Sequence, residues 1–371
     1  MTKPIAPIES VKAETDRASQ MVLIERHYQA HRRAGRHWLD YHFHKPSPFG
    51  LQLLMALATC ELAAPALGFQ LAKELAEIPY AQGKAGEQVF EHLLQKLIEV
   101  VVLRTLVSID WPVGTVFRHE PTNPVSKKRP EFVVDTPERM FVFEVKCPGL
   151  LDHQRKRARN PQQIPARSSL TKSEVRERAL SLFQGGVTLP QDNKLKDFLE
   201  SAEEKIAGFQ TEKPQTGVLV VAWDRFMYEP ISSLNHAESG LFTEASFHTD
   251  ANGARVLFAA VDGAILLNHL SLMHEHTHEK TGGHRPDPFV LDPNCPSPNV
   301  WCPNFGGTAL PEAVLKAFDA VPAEAMAMFA DYAPMEFVMW LDPQAFARNQ
   351  AARRRKAELI YAVCPAPLGV G

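Results

Sequence analysis

Arg129-Pro130-Glu131-Phe132-Val133-Val134-Asp135, followed by Met140-Phe141-Val142-Phe143-Glu144-Val145-Lys146, decides how this chain is read. Only Thr136-Pro137-Glu138-Arg139 separates the two apolar runs, which is hairpin length. Side chains alternate faces along a strand that rises roughly 3.3 Å per residue, so Glu144 and Lys146 share a face, roughly 7 Å apart at Cα. Phe141, Phe143 and Val145 take the other face. Val142 precedes Glu144 on its own face, so this strand starts buried and emerges into a carboxylate and an ammonium. Glu131 stands at the open end of the neighbouring strand, with Asp135 on its face.

Two carboxylates and a lysine at the ends of adjacent strands suit a hard divalent cation. Mg²⁺ or Mn²⁺ takes oxygen ligands, typically one or two carboxylates with water and substrate phosphate. A lysine beside them can orient and help deprotonate an attacking water, and its charge favours a phosphorane-like transition state. The letters Glu-x-Lys alone carry none of this. Glu203-Glu204-Lys205 repeats them on a helical segment, and a solvated ion pair on an edge strand is worth only about 0–1 kcal/mol.

Outward from the hairpin, residues 84–106 read as a helix and 114–117 as a further strand. Residues 151–188 are polar and basic, 192–209 form an amphipathic helix, and 217–223 a buried strand. The order helix, three strands, helix, strand predicts a mixed α/β layer structure. Residues 13–77 read as helical, broken at Pro46-Ser47-Pro48 and at Pro65. In the second half, 254–260 and 264–267 are expected strands and 286–311 a long loop rich in Pro, Asn and Gly. Residues 311–330 and 343–362 are expected helices, the latter carrying the basic run 353–356. The chain thus divides into a helical N-terminal region (1–80), a core (81–225) and an irregular C-terminal extension (226–371).

In that element order, Arg129-Pro130-Glu131-Phe132-Val133-Val134 and Phe143-Glu144-Val145-Lys146-Cys147-Pro148 resemble the PD-(D/E)XK nuclease superfamily, with its restriction-endonuclease-like fold. The resemblance spans residues 84–223. Carried over by position, Glu131 stands where the family usually has Asp, Glu144 is the second carboxylate and Lys146 the lysine. The resemblance implies Mg²⁺ or Mn²⁺ held by Glu131, Glu144 and the carbonyl of Val145, a water positioned by Lys146, and hydrolysis of DNA phosphodiesters. Glu in place of Asp is a departure. It leaves Asp135 as an alternative ligand, and a catalytically silent nucleic-acid-binding protein of the same fold as the rival reading.

Family members often add a Glu from the preceding helix. Against the stripe Phe90, Leu93, Leu94, Leu97, Val101, Glu87 lies near the apolar edge and Glu91 further round. Phe90-Glu91 resembles the family spelling better, so both stay candidates. Restriction or phage defence is the biological role that fold analogy suggests.

Residues 153–178 hold eight basic against two acidic side chains, a net charge of +6 directly after the Lys146 strand. Positive charge beside a carboxylate site suggests a phosphate-backbone track, beginning with Arg155, Lys156, Arg157 and Arg159; a solvated basic loop is the plainer alternative. A second cluster interleaves Arg26, Arg32, Arg33 and Arg36 with Tyr28, Trp38, Tyr41 and Phe43. It serves either for base stacking or as helical core.

The competing enzyme signal is His274-Glu275-His276-Thr277-His278 with His284. It spells His-Glu-x-x-His, the helical zinc-hydrolase motif. The third-histidine spacing expects glycine where Thr281 stands, and the segment is polar, so a solvated His-rich loop or an auxiliary metal site ranks ahead of a zinc hydrolase. Cys295 and Cys302 lack a close-spaced partner pair.

Composition bounds the rest. The 371 residues carry a net charge of −3, with 45% hydrophobic and 22% charged residues, which excludes global disorder and leaves the whole-chain charge silent about polyanionic partners. Five cysteines, odd in number and scattered, make no disulfide framework and fit a reducing compartment. No apolar run approaches the ~20 residues that span a bilayer, and no secretory leader is recognisable. No Walker or dinucleotide glycine loop is present. The expectation is a cytoplasmic α/β protein with DNA as partner, compatible with a homodimer, and without a membrane partner.

Overall fold

The computed structural model describes residues 8–44, 47–159, 190–209, 213–224, 226–236, 239–278, 286–291 and 298–326. Among them a mixed sheet runs in the order β1 (Val116–His119), β2 (Phe132–Asp135), β3 (Met140–Lys146), β4 (Gln215–Ala222), β5 (Gly263–Leu267), β6 (Asn299–Pro303) and β7 (Ala320–Pro322). The protein is a mixed α/β structure.

Strands β1, β2 and β3 form an antiparallel meander, because Thr136–Arg139 closes a tight turn. Thr136 N donates to Arg139 O at 3.0 Å, and Arg139 N donates to Thr136 Oγ1 at 3.0 Å. From β3 the chain crosses over through α6 (Leu151–Arg159) and α7 (Asp192–Ile206) to β4, which lies parallel to β3 and to β5. The central strands are buried on both faces, as their Val- and Leu-rich runs require.

The helical N-terminal region comprises α1 (Ile8–His31), α2 (Asp40–His44), α3 (Pro48–Ala63) and α4 (Leu67–Glu77). Pro48 opens α3 with its fixed φ, and Ser47 Oγ caps it by accepting from Gly50 N at 3.1 Å. These helices pack on α5 (Gly83–Val107), whose second half is buried and presses Glu99 into the interior with its apolar neighbours. Tyr28, Trp38 and Phe43 belong to this core: Tyr28 meets Phe43 at 4.5 Å between ring centroids, and Trp38 meets Phe90 at 5.1 Å. Arg36 lies over the Tyr80 ring. The arginine–aromatic interleaving read in the sequence is thus largely packing.

The second half departs from expectation in three places. Residues 254–260 are not a strand beyond an isolated bridge at Arg255; part of their backbone is satisfied by side chains, with Glu203 accepting from Ala260 N at 2.8 Å and Asn304 Nδ2 donating to Phe258 O at 2.9 Å. Strand β6 lies inside the expected loop 286–311, because β5 needs a partner on its far side and Val300-Trp301-Cys302 supply one. Residues 311–326 form α10 (Glu312–Ala317), β7 and α11 (Ala323–Met326) rather than one helix, the break falling at Asp319 with φ +46°. Helices α8 (Tyr228–Asn235) and α9 (Leu270–His278) complete the described elements. Residues 343–362 lie outside the described residues. No helix among those described is long and apolar enough to cross a membrane.

Candidate active site

The hairpin register decides which acids meet. Phe132 pairs with Phe143 across β2 and β3, and the same register carried one residue past the end of β2 sets Glu131 toward Glu144, whose charge acts on the Glu131 carboxyl. Asp135 lies at the other end of the hairpin, opposite Met140, where Arg118 and Lys213 bind it at 2.8 and 2.9 Å. Glu131, not Asp135, is therefore the acid beside Glu144.

Glu144 is fully buried. Its Oε1 accepts from Lys146 Nζ at 2.6 Å and from Lys205 Nζ, on α7, also at 2.6 Å. Its Oε2 is buried with no hydrogen-bond partner among the described residues, and so is Glu131 Oε2. Glu131 and Glu144 thus each keep one buried oxygen without a partner. Buried acceptors are almost always paired, so these two oxygens fit a divalent cation by their own chemistry. Val145 lies between Glu144 and Lys146 with its side chain buried on the opposite face.

The carboxylate that α5 sends toward this pair is neither Glu87 nor Glu91. Glu87 is exposed and held by Arg155 at 2.7 Å. Glu91 Oε1 accepts from Leu151 N at 3.0 Å, capping the entry to α6. Glu99 is the buried one, 1% exposed and paired with Lys96 at 2.6 Å. Its charge, after burial itself, is the largest influence raising the Glu131 carboxyl. Glu99 was legible as a charge embedded in the apolar run 97–103, with Lys96 one turn before it. Lys205 belongs to the same Glu-Glu-Lys tripeptide that shows how little those letters mean alone; only the packing of α7 on β3 brings it to Glu144.

Burial lifts the Glu131 carboxyl to about 8, the Glu99 and Glu144 carboxylates adding to it while Lys96 and Lys205 oppose. The folded metal-free chain therefore keeps a proton that the unfolded chain releases above the ordinary value of 4.5. This contribution to stability is complete below that value and is lost as pH rises toward about 8. Glu131→Gln, which cannot ionise, is expected to remove its share of that slope. Urea unfolding in chelator across the window measures it, and an unchanged slope would assign the titration to another group.

The basic segment is largely compensated within α6. Arg157 is buried, paired with Asp224 and 3.6 Å from Glu229, and it covers the Phe226 ring at 3.9 Å. Arg155 is bound by Glu87, and Lys156 by Asp152 at 2.8 Å. Arg159 is exposed. Arg157 is therefore a structural cation rather than a phosphate contact; the remainder of the basic stretch, 160–189, lies outside the described residues. Of the zinc-hydrolase histidines, His274 packs edge-on against Phe90, while the side chain of His278 and all of His284 lie outside the described residues, as does Cys295. Burial pushes the Cys147 and Cys302 thiols up.

Comparison of the chain with protein-family models, curated proteins and solved structures finds no match.

Proposed function

We propose that this chain is a divalent-metal-dependent nuclease of the PD-(D/E)XK kind that hydrolyses DNA phosphodiester bonds. One observation carries the reading: the hairpin register, continued one residue, brings Glu131 to Glu144, each with a buried unpaired oxygen, beside a lysine two residues along the Glu144 strand. The antiparallel β1-β2-β3 meander, the helical crossover and a parallel β4 support the restriction-endonuclease-like fold.

Glu131 and Glu144 would hold Mg²⁺ or Mn²⁺, with the Val145 carbonyl as the third group the resemblance implies. The ion would supply charge stabilisation to the phosphoryl oxygens and activate the nucleophile. Lys146 orients the attacking water and counters charge developing on the phosphate. Lys205 shares the Glu144 carboxylate, so Lys146 can turn to substrate without leaving a buried acid uncompensated. Counting these four side chains alone, the two lysines neutralise the two carboxylates. The charge of the bound ion is then left for an anionic substrate. Glu99, paired with Lys96, sets the electrostatics of Glu131 from behind.

The test is cleavage of supercoiled plasmid by purified protein with Mg²⁺ or Mn²⁺, expected to proceed and to stop on chelation, with single-stranded RNA as the parallel substrate. Binding to DNA without cleavage under any divalent ion would favour the silent DNA-binding reading. Neither binding nor cleavage would end both.

A further inference from the structure

A second set of ligand atoms meets where α4 touches the edge strand β1. Glu74 on α4 and His119 and Glu120 at the end of β1 each offer one atom, and the three lie within 4.8 Å of one another. Among the described residues no other group of three or more His, Cys, Asp or Glu side chains converges in this way. Adjacent residues of a regular strand point to opposite faces and would not converge. Glu120, however, has φ +42°, in the left-handed region where a residue other than glycine is strained. That turn breaks the alternation at the strand end and brings the Glu120 carboxylate round to the imidazole beside it.

The imidazole itself points to a ligand. Both ring nitrogens of His119 are shielded from solvent and have no hydrogen-bond partner among the described residues. A histidine buried for structural reasons nearly always gives one nitrogen to a carbonyl or a carboxylate. One of those idle nitrogens lies within 4.8 Å of a carboxylate oxygen of both Glu74 and Glu120, where a metal ion would satisfy it.

We propose that Glu74, His119 and Glu120 form a site for a divalent transition metal, Zn²⁺ being the best match, that pins helix α4 to the edge of the sheet. One imidazole with two carboxylates is ordinary zinc chemistry, whereas Mg²⁺ selects oxygen ligands throughout. Lys96 lies 3.2 Å from Glu74 Oε2 and 2.6 Å from Glu99 Oε2. It is the cation that the metal displaces from Glu74, and it keeps Glu99 as partner when that happens. The site does not rest on the nuclease reading, since it shares no ligand with Glu131 or Glu144. The two are neighbours all the same: Glu120 N donates to Glu131 O at 3.0 Å.

Zinc titration of the chelator-stripped full chain by calorimetry, with thermal unfolding in parallel, tests the site. His119→Ala and Glu74→Gln should each lose one Zn²⁺ equivalent per chain relative to wild type, or bind it at least about 100-fold more weakly. Losing an outer-shell partner alone costs about 10–100-fold. Both should also lose the zinc-dependent rise in melting temperature that native-state binding produces. Asp152→Asn, at an exposed residue of α6 outside both sites, should keep both properties. Zinc held elsewhere, including at His274 and His276, cancels in the comparison with wild type. The near-isosteric Glu74→Gln keeps the test decisive should His119→Ala fold poorly. Equal zinc stoichiometry and affinity in wild type and both variants would overturn the proposal, as would displacement of that equivalent by saturating Mg²⁺.

Discussion

Lys146→Ala is expected to lower the rate of Mg²⁺-dependent plasmid cleavage by about 10²-fold or more, the usual scale for a positioned acid–base group, while DNA affinity and the folded state persist. The second half of that expectation comes from Lys205. Removing one partner from a buried ion pair ordinarily costs about 3–5 kcal/mol, because the remaining charge is stranded. Here Glu144 Oε1 is held by two ammonium groups at equal distance, so Lys146→Ala leaves Lys205 in place. The pair Lys146→Ala and Lys205→Ala together should then show the full loss of stability that neither shows alone, a non-additivity that urea unfolding of the single and double variants measures. Equal cleavage by wild type and Lys146→Ala would remove Lys146 from the catalytic assignment. Glu144→Ala should abolish cleavage and magnesium binding at the site together.

Arg157→Ala is expected to cost about 3–5 kcal/mol of stability, because it strands the buried carboxylate Asp224, while Glu229 keeps its bonds to His153 and Gln191 N. The guanidinium also packs on Phe226, so some apolar contact goes with it. Denaturant unfolding should show a lower midpoint with an unchanged slope. The salt dependence of DNA binding should not move, since a buried arginine releases no phosphate counterion. Arg159 is the contrast: if this exposed residue meets the backbone, Arg159→Ala removes about 0.9 from the log–log slope on duplex DNA. A stable Arg157→Ala protein with a reduced salt slope would return Arg157 to the nucleic-acid surface.

Local pattern made the hairpin legible. Thr136 and Arg139 close a turn that fixes the register pairing Phe132 with Phe143, and that register, carried one residue further, sets Glu131 rather than Asp135 toward Glu144. The crossover helix and β4 were legible for the same reason, since an amphipathic stretch followed by a continuous Val-rich run has few other folds open to it. Strand β6 was not. Its pairing residues sit among prolines and asparagines, and only the need of β5 for a neighbour makes them a strand.

The helix carboxylate shows the same limit more sharply. Angular position on α5 ranked Glu87 and Glu91 by their relation to an apolar stripe, on the assumption that one face of the helix is buried. Glu99 lies where the helix is buried nearly all round, and there angle no longer selects. The convergence of Glu74 with His119, of Lys205 with Glu144, and of Arg157 with Asp224 joins residues tens of positions apart, with no periodicity to announce it.

Alternation and turn chemistry act over a few residues, so the order of residues alone determined the hairpin and the strand faces, while which acid, Glu131 or Asp135, meets Glu144 was decided by the register in the folded sheet. Which charges neutralise which was decided only in the folded chain. Electrostatic partners are chosen by distance through space, after the core has settled where each backbone runs, and α6, α7 and α4 acquired theirs only by docking against the sheet and α5.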